Sequence, residues 1–206
     1  MEIQTVYLYV FDTLSDWEPS FAISGINNPA YQLSPGRFII KTASISKETV
    51  KTIGGITIVP DTTLAEIKPE KSAMLILPGG SGWESGHHIE ATNSAKLFLK
   101  MGKPVAAICG ATAGLAIAGL LDNVHHTSNA AVYLQATNYQ GGKYYQEEAE
   151  VSDGNLITAS ATAPIEFAYH IFKKLGMYSD KTLEAWYGLY KTGELKYFLE
   201  LQDAGV

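Results

Sequence analysis

The chain has 206 residues, 46% of them hydrophobic and 17% charged, and a formal net charge of -6. This balance belongs to an ordinary globular protein and excludes long disordered segments. The acid excess and the lack of any Lys/Arg-rich run exclude nucleic acid as the expected partner, and no apolar run reaches the roughly 18 residues of a membrane span.

In chain order, VYLYVF (6–11) is a short apolar, β-branched and aromatic run that predicts a first strand. The opening MEIQTVYLYVF has no basic region or small-residue cleavage site, so it reads as that strand rather than a secretion signal. WEPSFAISGI predicts a helix with Pro19 in its first turn. RFIIKTAS (37–44) predicts a strand, and GGITIVPD (54–61) a shorter one ended by Pro60. AMLILPGG (73–80) is a buried strand running into a proline-glycine turn. A helix is expected over 87–101, a strand in PVAAI (104–108), and a helix in the small-residue stretch after Cys109.

VHHTSN predicts a short strand and AAVYLQATN a helix. GKYYQEEAEVSDGNLITAS reads as two strands around an Asp153-Gly154 hairpin. PIEFAYHIFKKLG (164–176) is an amphipathic helix, with proline at its start and glycine at its end. The tail predicts one or two further helices, whose Trp186, Tyr187, Tyr190, Tyr197 and Phe198 read as core or subunit contacts. Apolar runs that do not alternate suit strands buried on both faces. Their alternation with helices predicts a doubly wound α/β sandwich with a mostly parallel sheet. One domain is expected over 1–206, with a core over 3–176 and a helical tail over 177–206.

Cys109 is the only cysteine. It can form no internal disulfide, which suits a reducing, cytoplasmic compartment. It stands at the carboxyl end of a predicted strand, where open α/β sheets bind ligands. Small residues flank it at Ala107 and Ala111, as a sharp strand-to-helix turn with an exposed nucleophile requires. The free N–H groups of the following helix favour thiolate, which predicts a thiol pKa below about 8.5. A lone cysteine in an apolar strand also reads as an inert core residue.

The glycine pair of LPGG lets backbone amides approach a substrate oxygen and, with the Gly110 amide, would form an oxyanion site; an ordinary turn is the alternative. Glu18, in the first turn of the first helix, would hydrogen-bond the sulfur if burial keeps it protonated, or simply supply charge to a helix N-terminus. Trp83, Glu84, His87 and His88 follow the glycine pair and are candidates for the pocket wall. Their spacing is not that of a metal site, so neither metal nor cofactor is expected.

Taken in order, Glu18, TIVPDTTLAEI, LILPGG, AICGATAGLAIAGLL and NLITASATAPIEFAYHIFKKLG resemble the ThiJ/PfpI family, a branch of the class I glutamine-amidotransferase-like superfamily. The resemblance spans roughly residues 6–176. It implies a flavodoxin-like sandwich, commonly dimeric, with Cys109 as the reactive residue, Glu18 as its protonated partner, and an oxyanion site at the Gly80 and Gly110 amides. Members of the family are described as peptidases, glyoxalases, deglycases, chaperones and oxidative-stress sensors.

Two positions depart from the pattern. Gly110 stands where peptidase-like members carry a histidine. Asn129 stands where others place a histidine from a later loop, with His125 and His126 just upstream; the pair also reads as one buried and one solvent-facing histidine. The expectation is a cytosolic cysteine-dependent hydrolase, peptidase-like or glyoxalase/deglycase-like, acting on a small carbonyl compound or a peptide. The alternative is a redox-sensing or chaperone-like stress protein that uses Cys109 as an oxidisable thiol.

Overall fold

Apolar side chains on both faces make QTVYLY the strand β1 (Gln4–Tyr9), an interior strand of a seven-stranded sheet. A computed structural model of the chain describes residues 2–204. After β1 come α1 (Trp17–Asn27) and β2 (Phe38–Ser44). Three two-residue strands follow: β3 (Val50–Lys51), β4 (Thr57–Ile58) and β5 (Thr62–Thr63). Next are β6 (Ser72–Leu77), α2 (Ile89–Lys100), β7 (Val105–Ile108) and α3 (Gly110–Ile117). The chain continues through α4 (Ala131–Gln135), β8 (Glu150–Asp153), β9 (Leu156–Ala159) and α5 (Pro164–Leu175). The tail forms α6 (Asp180–Thr192) and α7 (Leu195–Ala204).

The sheet order is β5-β2-β1-β6-β7-β9-β8. Every pairing in it is parallel except that of β8 with β9. This is the flavodoxin-like doubly wound arrangement, whose order reverses between β1 and β6. All six residues of β6 are buried. Met74 and Ile76 belong to the cluster under α1 and α5, while Leu75 and Leu77 belong to the cluster under α2 and α3. Covered on both faces, β6 needs no polar alternation. Phe98 and Phe167 close the two faces with fully buried rings, each contributing about 1.5–3 kcal/mol.

Several expected elements shift. VHHTSN is not a strand; it makes a single bridge, His126 to Tyr145. Residues 142–144 form a 3-10 turn, so the first arm of the hairpin shrinks to β8. The helix expected from His87 begins at Ile89, because residues 81–88 are held in turns. The short strand at 57–58 leaves the main sheet and pairs with β3 instead. The tail helices pack in: Trp186 stands edge-on to Phe172 with centroids 4.9 Å apart, and Tyr187 donates to Glu166 over 3.0 Å.

Candidate active site

Cys109 follows β7 and precedes α3, with φ +58° and ψ -126°. An L-residue resists this backbone, at a cost of order 1–3 kcal/mol. The turn is held by Cys109 N–H donating to Ala159 O over 3.0 Å, and by Thr112, whose hydroxyl donates to Cys109 O over 2.6 Å. The sulfur is half-buried rather than enclosed in the core. Tight packing beneath it depends on glycine. A Cβ at Gly110 would lie 3.0 Å from Trp83 Cδ1, and one at Gly79 would lie 2.7 Å from Cys109 Cβ and 2.9 Å from Sγ.

Three chain segments meet at the sulfur. From α1 comes Glu18, fully buried, whose Oε2 accepts the Gly79 N–H over 2.5 Å. Its other oxygen, Oε1, is buried and has no hydrogen-bond partner among the described residues. From the loop before α4 comes Asn129, whose Nδ2 donates to Sγ over 3.4 Å while its Oδ1 accepts the Ala161 N–H over 2.9 Å. From the elbow itself comes the Gly110 N–H. Gly80 turns its carbonyl oxygen to within 3.1 Å of a Cβ placed on Gly110, and its own N–H has no acceptor among the described residues.

Burial pushes the Cys109 thiol up to about 11, and a charge on Glu18 adds to the rise; the Asn129 and Gly110 N–H groups pull the other way. The expectation of a pKa below 8.5 is therefore corrected. Desolvation of the thiolate outweighs the partial charge of a helix only eight residues long. Burial raises Glu18 as well, against the lowering by the Gly79 N–H, the Cys109 thiol and the Ser15 hydroxyl. Two neighbouring acids that both resist ionisation titrate as a pair and share one charge. A protonated Glu18 also accounts for Oε1. As O–H, one Glu18 oxygen can donate while the other keeps the Gly79 N–H, and the Cys109 and Ser15 side chains lie within hydrogen-bonding reach of the carboxyl.

The histidines lie elsewhere. His126 is buried, with Nδ1 2.8 Å from Val124 O and Nε2 3.2 Å from Tyr139 Oη. Burial lowers its pKa. His126 is therefore not available as a base for the sulfur. His125 faces solvent beside Asp153. His88 is buried between Tyr9, Phe11 and Trp83. Its Nε2 must donate to Ser81 O over 2.9 Å, which leaves Nδ1 to accept from Tyr9 Oη over 2.9 Å. His87 is exposed and lines a separate groove between the ends of β1 and β2. Trp83 is fully buried beneath the elbow, with its Nε1 donating to Pro78 O over 3.1 Å, and it lines a cavity with Gly86, His88, Ile89 and Gly114 that does not include Cys109.

Two residues around the site escaped the sequence reading. Tyr133, one turn after Asn129, donates its hydroxyl to Glu84 Oε1 over 2.5 Å. Trp17, just before Glu18, is 52% exposed, with Nε1 3.4 Å from Ala161 O. Each adjoins a residue that was identified, and that adjacency is the only sequence signal either carries.

The DJ-1/PfpI family pattern matches residues 4–174. A Bacillus subtilis (strain 168) protein named uncharacterized protease YoaZ is 41% identical over 206 residues, covering 98% of each chain. A crystal structure of a thiJ/pfpI family protein from Bacillus anthracis superposes with a TM-score of 0.92 at 41% identity, covering 99% of each chain. A deglycase of Pyrococcus horikoshii is 28% identical over 148 residues, 71% of this chain and 88% of its own.

Proposed function

This chain belongs to the DJ-1/PfpI family, and on that premise we propose that it is a cysteine-dependent enzyme acting on a small reactive carbonyl compound, in the manner of a glyoxalase or deglycase. The observation that carries the reading is the unpartnered Oε1 of the fully buried Glu18, set against Cys109. A buried acid left without a partner is costly, and such costs are retained where chemistry uses them.

Glu18 holds the proton that the thiol gives up. The thiolate adds to the aldehyde carbon, and the oxygen takes the proton from Glu18 Oε1, giving a hemithioacetal. For a 2-oxoaldehyde, Glu18 then accepts the carbon-bound proton and returns it to the neighbouring carbon, while the hemithioacetal hydroxyl gives its proton to that carbon's oxygen and becomes the thioester carbonyl. The thioester that results is hydrolysed by water, which frees the thiol and a 2-hydroxy acid. In this reading the Gly80 and Gly110 N–H groups would hold the oxyanion, and Asn129 Nδ2, which donates to the sulfur, would steady it.

Peptide hydrolysis is the weaker reading. Among the described residues no imidazole hydrogen-bonds Cys109, and general-base help of about 100- to 10,000-fold is what an amide needs. A redox role is the second reading, favoured by the same donors: Glu18 O–H and Asn129 Nδ2 would stabilise a sulfur oxidised to sulfinate. The proposal extends to a homodimer in a reducing cytoplasm, where the lone thiol stays free; sedimentation tests the assembly.

The test of function is methylglyoxal consumption by the wild type, Cys109→Ser and Glu18→Gln. Turnover in the wild type and none in Cys109→Ser is the expected result. No turnover in any of them, with selective peroxide oxidation of Cys109, transfers the case to the redox reading.

A further inference from the structure

Glu84 is exposed and bonded to the Tyr133 hydroxyl. Both ends of that bridge are tied to the reactive sulfur. Trp83, the residue before Glu84, packs on Gly110, and Asn129, one turn before Tyr133, donates to Sγ over 3.4 Å. The bridge therefore spans the two segments that flank Cys109. The charges of Cys109 and Glu18 reach the Tyr133 hydroxyl and, with burial and Glu84, raise its pKa. Among the described residues the ion pairs are Lys47–Glu66, His125–Asp153, His170–Glu150, Lys191–Glu166 and Lys196–Glu194; Glu84 enters none of them. No lysine or arginine contributes to the protonation of Cys109, Glu18 or Tyr133. Glu18 is the charge that acts on the sulfur directly, while Glu84 is hydrogen-bonded to Tyr133, whose hydroxyl feels the charges of Cys109 and Glu18; neither acid is paired with a lysine or arginine among the described residues.

We propose that Glu84, held in place by Tyr133, is a specificity-determining residue that ranks the reactants of Cys109 by charge: cationic before neutral, and neutral before carboxylate- or phosphate-bearing carbonyls. This rests on the reading of Cys109 as the reacting atom and deepens it by naming the class of substrate admitted. A carboxylate or phosphate on the substrate meets repulsion from Glu84 with no lysine or arginine to receive it. An amine-bearing or uncharged carbonyl meets none.

The chain's single cysteine allows a test that does not need turnover. The intact protein is treated with three methanethiosulfonate reagents, one neutral, one bearing trimethylammonium and one bearing sulfonate, at one fixed pH of about 8. Each rate is divided by the rate for the same chain unfolded in denaturant. The expected result is a cation-to-anion ratio of roughly ten, the scale set by one unit charge several ångströms from the sulfur in a wet site. Salt at about 1 M should collapse the ratio. Glu84→Gln should lower it to about three, Glu84→Asp should restore most of it, and Tyr133→Phe should give an intermediate value. A ratio near one in the wild type, or one unmoved by Glu84→Gln, overturns the proposal. Failure of all three reagents to label folded Cys109 overturns both the proposal and the enzyme reading. Charge-ranked labelling without aldehyde turnover overturns only the enzyme reading, and turnover that does not discriminate methylglyoxal from glyoxylate overturns only the charge ranking.

Discussion

His88 and Glu18 are both buried, ionisable and close to the carboxyl edge of the sheet, yet the fold treats them differently. Both ring nitrogens of His88 are engaged, by Ser81 O and Tyr9 Oη, and three aromatic rings surround it. Glu18 has one oxygen on the Gly79 N–H and the other unpartnered against a thiol. A satisfied buried group stabilises its surroundings, whereas an unsatisfied one stores a cost that only a reaction or a ligand relieves. The first reads as scaffold, and the second is the one the proposed chemistry would use.

The largest effect expected from this contrast is on Cys109. Cys109→Ser should lower aldehyde turnover by about 1,000-fold or more with little change in thermal midpoint, measured by substrate loss and calorimetry. A residual rate within tenfold of the wild type would remove the sulfur from the reaction. On the scaffold side, His88→Ala should cost about 2–4 kcal/mol in urea unfolding, since it empties an aromatic cage and strands the Tyr9 hydroxyl. Turnover per folded molecule should hold, and a matching loss of rate would erase the division between the two residues.

Gly79→Ala places a methyl group 2.7 Å from Cys109 Cβ and 2.8 Å from Glu18 Oε2. It should destabilise by about 1–3 kcal/mol and slow iodoacetamide labelling of the sulfur. Unchanged labelling would mean that the two acids need not touch. The smallest effect has the opposite sign. Glu18→Gln keeps an oxygen for the Gly79 N–H and removes the cost of holding a buried acid protonated, so the variant should be more stable by about 1 kcal/mol near neutral pH.

The pH dependence of that gap is fixed by direction. The folded Glu18 pKa is raised, so its contribution is fully present below the ordinary carboxyl value of about 4.5 and is lost as pH rises. The gap between Glu18→Gln and the wild type should therefore close in acid. His88 runs the other way. Its folded pKa is lowered by burial, so its contribution holds above about 6.5 and fades as pH falls. Parallel stability curves for the wild type and Glu18→Gln from pH 4 to 8 would contradict the first half of this pairing.

The elbow was legible in the sequence because its requirement is local. Small residues at Ala107 and Ala111 permit the sharp turn, and the change from apolar run to small-residue helix marks its place. Glu18 was legible by position, since the first helix must return to the carboxyl edge of the sheet. Asn129 was reached only through register, and the structure sets it on the sulfur. The Glu84–Tyr133 bridge was not legible, since 49 residues separate its ends. VHHTSN misled because β-branched and aromatic neighbours favour a strand, while the edge beside β9 is taken by β8.

Periodicity, turn chemistry and small-residue spacing act over a few residues, so order along the chain was enough for the doubly wound architecture, the bend at Cys109 and the candidate acid on α1. Protonation was not readable in that way. Whether Cys109 ionises, whether Glu18 keeps its proton, and which histidines are engaged depend on the water removed and the partners supplied by segments distant in sequence. Those quantities exist only once β1, β6 and β7 bring their ends together, because desolvation and hydrogen-bond satisfaction are properties of a packed volume rather than of neighbours along the chain.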